Sequence, residues 1–249
     1  MSDLFEGMEG QGFENMKGDA FSIPMLLIAQ PTSKAMLAED SNIKLGDFYN
    51  SITNESFGKE LEIIPCYYKQ VWLEWKPNMG GLVGRHLPGS IPVVGDTYTG
   101  MKTQEGNIIE ENWIYYVMIV GKEEQGVFQF SLKSSGLKYA KKWNSLISLT
   151  KLANGKQAPF FSSSWTIKSY KNENDQGVWY TIGSKSESEI KRVDFINREQ
   201  LALVQDIILI APTLLIADER DTPTHLIPAE RDELSQLAIE APTNTEGKY

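Results

Sequence analysis

The chain has few of the residues on which most catalytic and metal chemistry depends. Its 249 residues include one cysteine and two histidines. A lone cysteine cannot form a disulfide within the chain, which favours a reducing compartment. Cys66 lies in an apolar run and is interpreted as a small core residue rather than a catalytic thiol. Because His86 and His225 lack the spacing of metal ligands, we expect no catalytic residue, no metal and no cofactor.

Long apolar runs are also missing. The longest, Asp206 to Ala211, is far shorter than the roughly 18 residues of a membrane span. The first residues are acidic and lack the basic region and apolar core of a signal peptide. We therefore expect a cytoplasmic protein, in the host cell if it is phage-encoded, with no membrane partner.

Motifs of common enzyme classes do not occur. The segment Gly80 to Arg85 lacks the Gly-Lys-Ser/Thr of a phosphate-binding loop, and no Gly-x-Ser-x-Gly elbow is present. The acidic groups Glu110-Glu111 and Asp218 to Asp221 are interpreted as solvated loops, with a divalent-ion site as the alternative. These absences favour a protein that is not an enzyme, although catalytic groups that converge from distant positions would leave no motif.

Charge is distributed unevenly along the chain. The net charge is −9, which by itself argues against a nucleic-acid binder. However, residues 121–171 carry nine lysines and two acidic residues, whereas residues 1–120 carry 8 basic and 16 acidic ones. Residues 113–180 also hold 13 of the 26 aromatic residues. A basic, aromatic-rich segment inside an acidic chain is typical of proteins that bind single-stranded nucleic acid.

Periodicity predicts an α+β fold: an antiparallel β barrel, OB-like, with one mid-chain helix and a C-terminal helix. Alternating patterns predict strands that are separated by turns, and these are residues 21–30, 61–75, 113–120, 127–132, 165–170 and 178–182. Residues 79–100 are predicted to be rich in loops. The mid-chain helix is predicted over Leu137 to Leu152, with Ser134 or Ser135 as its N-cap and Asn154-Gly155 as its stop. The second helix is predicted from about Glu187 to Ala211, ending at Pro212.

Composition predicts three segments. Residues 1–19 are expected to be a flexible acidic arm, residues 20–217 a single β-rich domain with helices, and residues 218–249 a polar, partly ordered tail. An acidic arm of this kind is expected to compete for a basic groove when nucleic acid is absent.

Nine residues are candidates for nucleic-acid contacts. Lysine and arginine side chains neutralise phosphates, and a helix N-terminus presents free backbone N–H groups. Aromatic rings provide faces on which bases stack. The predicted phosphate contacts are Arg85, Lys133, Lys138, Lys142 and Lys168, and the predicted stacking residues are Tyr68, Trp72, Trp165 and Tyr170. The alternatives are that the helix lysines form only a solvated face and that the aromatics, Tyr68 and Trp72 among them, belong to the core.

The sequence resembles a family of small phage-encoded proteins associated with single-stranded DNA in replication and recombination. The segments that carry the resemblance are residues 21–30, 46–50, 63–77 and 80–81, together with 134–138 and 141–144. The resemblance implies an OB-like barrel, single-stranded DNA as ligand, and replication or recombination proteins as partners. The last residues, Thr245 to Tyr249, depart from the dense acidic tip usual in single-strand-binding proteins.

Two functions remain open from the sequence. The first is a non-catalytic protein that coats or protects single-stranded DNA through a lysine-rich groove with aromatic stacking. The second is a phage structural or interaction protein, such as a virion or cargo component, without affinity for nucleic acid. The sequence leaves the oligomeric state open.

Overall fold

A computed structural model of the chain describes residues 23–37, 41–77, 81–96, 100–175, 177–184 and 189–217, with side chains up to 209. The predicted acidic arm, the predicted tail and His225 lie outside the described residues. The strands are β1 Leu26–Ile28, β2 Phe48–Asn50, β3 Ser56–Gly58, β4 Glu60–Trp75, β5 Leu82–His86, β6 Met101–Lys102, β7 Ile108–Ile119, β8 Phe128–Lys133, β9 Ser163–Lys168, β10 Tyr170–Asn174, β11 Gly177–Thr181 and β12 Ile190–Phe195. The helices are α1 Leu137–Ser148 and α2 Arg198–Ala217.

Strand β4 is the centre of the fold. Its β-branched and aromatic residues favour an extended chain, and it pairs antiparallel with β7 along almost its whole length, with Tyr68 opposite Tyr115. On its other side β4 pairs with β9 through its first residues and with β5 through its last. Strands β8 and β6 pair with the far side of β7, and β12 pairs with β9. The result is a seven-stranded antiparallel sheet.

The large sheet is curled. Its register shifts at a bulge between Pro65 and Tyr67, and bulges of this kind bend a strand and increase its twist. The small sheet β1–β2–β3 meets β8 through a parallel bridge between Met25 and Gln129. Among the described residues β12 and β6 end the large sheet without pairing to each other. The α+β class is therefore confirmed as a half-barrel with two helices, whereas a closed OB-like barrel is not shown.

Helix α1 covers the inner face of the curled sheet. Its apolar residues recur at helical spacing, and Tyr139, Ala140, Trp143 and Ile147 are buried. The Trp143 ring stacks on Tyr115 with ring centres 4.7 Å apart. The sheet contributes buried side chains to the same cluster, among them Ile63, Trp113, Tyr115, Val117, Phe128, Phe130, Leu132, Trp165 and Ile167. The predicted mid-chain helix and the core position of Trp143 are confirmed.

Helix α2 packs on the outer face of the sheet. Val204 and Ile207 contact Ile64, Cys66 and Met118 in a second buried cluster. Burial of Cys66 among these side chains confirms the interpretation of this residue as part of the core. Within the described residues, neither helix combines the length and the apolar character that crossing a membrane requires.

The predicted second helix begins too early. The prediction extended it over Ile190–Phe195, which instead form β12 against β9. The helix begins only after Asn197, whose side-chain oxygen accepts a 2.9 Å hydrogen bond from the Gln200 N–H, while the Gln200 side chain accepts one from the Asn197 N–H. This reciprocal pair is a capping box. The helix also continues through Pro212 to Ala217 rather than ending there.

Two further local predictions need refinement. The segment 79–100, predicted to be rich in loops, also contains β5, which is held in place by pairing with Trp72–Trp75 rather than by its own propensity. Helix α1 ends at Ser148, six residues before Asn154, and neither Ser134 nor Ser135 caps it. The two serines lie instead in a 3₁₀ turn, Ser134–Gly136, in which Ser134 has a φ of 48°.

Candidate nucleic-acid interface

The exposed side of α1 carries three lysines. Burial of Ala140, Trp143 and Ile147 against the sheet turns the opposite side of the helix to solvent, and Lys138, Lys141 and Lys142 are exposed there. Residues three and four apart lie on the same side of a helix. The three side chains therefore form one cationic patch, which we call the α1 lysine face.

The chain segment that contains this face carries no negative charge. Between Glu124 and Glu173 the sequence contains no acidic residue. The Nζ atom of Lys138 lies 4.6 Å from the centre of the Tyr139 ring, and that of Lys141 lies 5.9 Å from the centre of the Trp113 ring. Among the described residues no carboxylate forms an ion pair with Lys138 or Lys141. Their positive charge therefore remains accessible to an anionic ligand.

The hairpin of β10 and β11 holds the start of α1. The indole N–H of Trp179 donates a 3.0 Å hydrogen bond to the Ser135 hydroxyl, and the Tyr139 hydroxyl donates one of 2.7 Å to the Ser184 carbonyl. Gly183 lies so close to the Tyr139 ring that an added Cβ would be 2.2 Å from a ring atom. These contacts place the half-buried Trp179 ring beside the lysine face.

Three of the predicted phosphate contacts lie away from this face. Lys133 forms an ion pair with Glu110 at 3.0 Å, and Lys168 lies 3.8 Å from Glu60. Their neighbours Leu132 and Ile167 point into the core, so Lys133 and Lys168 project from the opposite face of the sheet. Arg85 is half-buried opposite Leu73, also on the outer side. Of the five predicted phosphate contacts, only Lys138 and Lys142 lie together.

The predicted stacking residues differ in their exposure. Trp165 is 3% exposed, and this burial disfavours its predicted role as a stacking platform. Tyr68 is half-buried, with ring centres 5.1 Å from Tyr115 and 5.5 Å from Trp113, and burial raises the pKa of its hydroxyl. Trp72 and Tyr170 are also half-buried. These three keep part of their surface accessible, although Tyr68 packs against the core cluster.

Carboxylates surround Trp72. It lies opposite Glu111 on β7 and opposite His86 on β5. Glu111 accepts a 2.7 Å hydrogen bond from the Trp113 indole. Glu74, only 8% exposed, is bonded to the imidazole of His86 at 2.8 Å and also accepts from the Asn107 amide. The negative charge at this end of the inner face disfavours phosphate, in contrast to the α1 lysine face.

A larger cleft of about 650 Å³ opens between the start of β7 and the start of α1. Apolar side chains, including Trp75, Met101 and Leu137, line it together with Glu110 and Glu111. Because the carboxylates offset nearby lysines, the cleft does not extend the cationic surface. In the part of the chain that the structure describes, no cluster of histidine, cysteine or acidic side chains is arranged to hold a metal ion.

The sequence pattern did not identify Lys141 and Trp179 as contact residues. Lys141 follows Lys138 at helical spacing, which was a sufficient signal for including it. Trp179 lies on a predicted returning strand, Val178 to Ile182, and alternation alone could not show which side of that strand would meet α1.

Comparison with known proteins gives one match. No curated protein and no solved structure matches the chain. The model of the Pam3 phage gp34-like protein family matches residues 3–200, which include every strand and α1. The expectation of a phage protein is thereby confirmed, while the association with single-stranded DNA stays a prediction. The chain belongs to the Pam3 phage gp34-like protein family.

Proposed function

We propose that this phage protein is a non-catalytic single-stranded DNA-binding protein that coats or protects DNA during phage replication or recombination. The observation that carries the proposal is the α1 lysine face, which is exposed and lies within a chain segment that has no acidic residue. Replication or recombination proteins are the partners that such a role implies, and the host cytoplasm is where it would act.

The lysine face would bind the phosphate backbone and Trp179 would bind a base. Each lysine that neutralises a phosphate releases condensed counterions, so affinity depends on salt. The half-buried Trp179 ring beside the face offers a surface for stacking, and Tyr170 begins the other strand of the same hairpin. Phosphate contacts combined with base stacking do not depend on base sequence. They favour single strands, whose bases are free to stack.

The test is fluorescence anisotropy of the full chain with a labelled oligothymidine, repeated at rising salt. For single strands the slope of log affinity against log salt is about −0.7 for each phosphate neutralised. We expect the triple variant K138Q/K141Q/K142Q to bind more weakly and to reduce the steepness of that slope by about 2. An unlabelled duplex of equal length should compete poorly.

The triple variant K34Q/K44Q/K59Q is a matched control. It removes the same charge from three exposed lysines that lie outside α1. We expect its affinity and salt slope to remain close to those of the unaltered chain. Equal losses in the two triple variants would show a general charge effect, and no binding by the unaltered chain at low salt would overturn the proposal.

The second candidate is a structural or interaction protein of the phage without nucleic-acid affinity. The observation that favours it is the apolar surface around β12 and α2, where Val193, Phe195, Leu203 and Leu209 are exposed. A surface of this kind is typical of a contact between protein chains. The oligothymidine experiment separates the two candidates, because only the first predicts binding.

A further inference from the structure

A second, smaller cleft lies at the other end of α1. It has a volume of about 350 Å³ and opens between the end of the helix and strands β9 and β12. Leu146 and Leu149 from the helix and Ile190 from β12 give it apolar walls. A slot of this size, apolar with a few polar groups, is typical of a small-ligand site.

Two cations border the cleft. Lys151 follows the end of α1. Arg192 lies opposite Trp165 in the pairing of β12 with β9, so the side chains of Arg192 and Trp165 lie on the same face of the sheet. The Arg192 guanidinium lies 4.8 Å from the centre of the Phe195 ring, which helps to position it. Within the described ranges no carboxylate pairs with Lys151 or Arg192; the nearby Glu189 is bonded to Lys191.

Trp165 supplies an unused hydrogen-bond donor. Its ring lines the cleft, yet the indole N–H is buried and meets no acceptor among the described residues. A buried donor without a partner costs free energy, and most such groups in folded proteins are satisfied. Since an indole only donates, a ligand that satisfies Trp165 must bring an acceptor.

We propose that this cleft is a nucleotide subsite, which takes one nucleotide of a bound DNA strand. The base lies against the apolar walls with a carbonyl oxygen directed to the Trp165 N–H, and Lys151 and Arg192 bind the adjoining phosphate. The inference rests on the proposed function and extends it. Lys138 lies at the start of α1 and Lys151 just past its end, and a helix of 12 residues is about 18 Å long. The strand would run along α1 from Trp179 to this cleft.

The probe is thymidine 5′-monophosphate, titrated into the full chain and followed by two-dimensional NMR of the six indole N–H signals. We expect saturable binding, with the Trp165 signal shifting most because a new acceptor deshields it. Thymidine and inorganic phosphate, titrated separately, should each bind at least tenfold more weakly. Equal binding of inorganic phosphate and the nucleotide would overturn the proposal, because the base would then contribute nothing.

Variants separate the cleft from the lysine face. K151Q/R192Q should weaken thymidine 5′-monophosphate binding at least tenfold and oligothymidine binding several-fold. Lys156 is an exposed lysine of the same loop, and K156Q should change the affinity for each ligand less than twofold. W165F keeps an aromatic ring without the donor, and should weaken binding of the nucleotide but not of phosphate. If W165F does not fold, as its melting curve would show, K151Q/R192Q still decides the outcome.

The failure of this inference differs from that of the proposed function. If oligothymidine binds but K151Q/R192Q behaves like K156Q, the cleft is not a subsite and the lysine face still binds DNA. If the unaltered chain binds no oligothymidine, the proposed function fails, and the subsite within it fails too.

Discussion

The thiol of Cys66 donates a 3.4 Å hydrogen bond to the Ile64 carbonyl and is 2% exposed. Ile64, Met118 and Val204 surround it. Burial disfavours the thiolate and raises the pKa of Cys66 to about 12. Because the thiolate is the reactive form, this residue has little nucleophilic capacity in the folded protein.

This burial makes Cys66 a reporter of folding. At pH 8 we expect Ellman's reagent to leave the native protein unmodified over minutes and to modify one thiol per chain at once in guanidinium chloride. Since α2 covers the thiol, loss of the α2 contacts should accelerate the reaction before the sheet unfolds. Rapid stoichiometric modification of the native protein would contradict the burial of this side chain.

At the scale of single residues, the sequence predicts the chemical character of a site better than the solvent exposure of each side chain. Lysine spacing predicts that Lys138 and Lys142 are exposed on one side of α1, and they are, because a helix places them opposite the apolar stripe. Trp165 and Trp179 both lie on alternating strands, but one is buried under α1 and the other lies beside it. That difference depends on how separate elements pack, which no local pattern contains.

Helix α2 has more apolar surface than the sheet can cover. Among the side chains of α2 that the structure describes, which end at Leu209, only Val204 and Ile207 are buried in the cluster with β4 and β7. Leu203 and Leu209 are 40% and 77% exposed. A helix that is apolar on most of its sides usually packs against partners on more than one side. The unoccupied side of α2 is therefore suited to contact with a second copy of the chain.

We expect the chain to self-associate through this side of α2, so that its mass in sedimentation rises with concentration. L203E/L209E should shift it towards the monomer, because charges at these positions oppose burial. Q104E/Q157E is the matched control, with two acidic residues at exposed positions outside α2. A monomer at every concentration, or equal effects of both variants, would contradict the expectation. Self-association is compatible with either candidate function.

Elements with strong periodicity were predictable and those formed by distant pairing were not. Strand β4 and helix α1 have clear alternating and helical patterns. Strand β5 contains Gly84, a weak strand former, and exists because β4 offers it an edge. Strand β12 was mistaken for helix, since six residues without clear alternation form a strand only when β9 lies beside them.

For the whole molecule, the segregation of charge has a structural consequence that the sequence suggests only in part. The acid-free segment does not form a single groove: α1 presents its lysines outward, while Lys133 and Lys168 lie on the opposite face of the sheet with acidic partners. The α+β class followed from the mixture of short strands and helices. Closure of a barrel could not be predicted, because it depends on which sheet edges meet.

The acidic N-terminal residues should weaken DNA binding through their charge. Residues 1–19 contain five acidic residues and one lysine, and like charge on the protein opposes the approach of phosphates. We expect deletion of residues 1–19 to tighten oligothymidine binding a few-fold at low salt. The gain should fade at high salt as the charges are screened. Anisotropy titrations at several salt concentrations measure both effects.

A charge-matched variant distinguishes electrostatics from loss of chain length. Replacing Asp3 and Asp19 by Asn, and Glu6, Glu9 and Glu14 by Gln, retains every residue while removing the five negative charges. If charge is the cause, this variant should tighten binding as much as the deletion does. In K138Q/K141Q/K142Q the deletion should have a smaller effect, because this variant lacks the positive charges for which the acidic residues and DNA would compete. Unchanged affinity after both alterations would show that these residues take no part in binding.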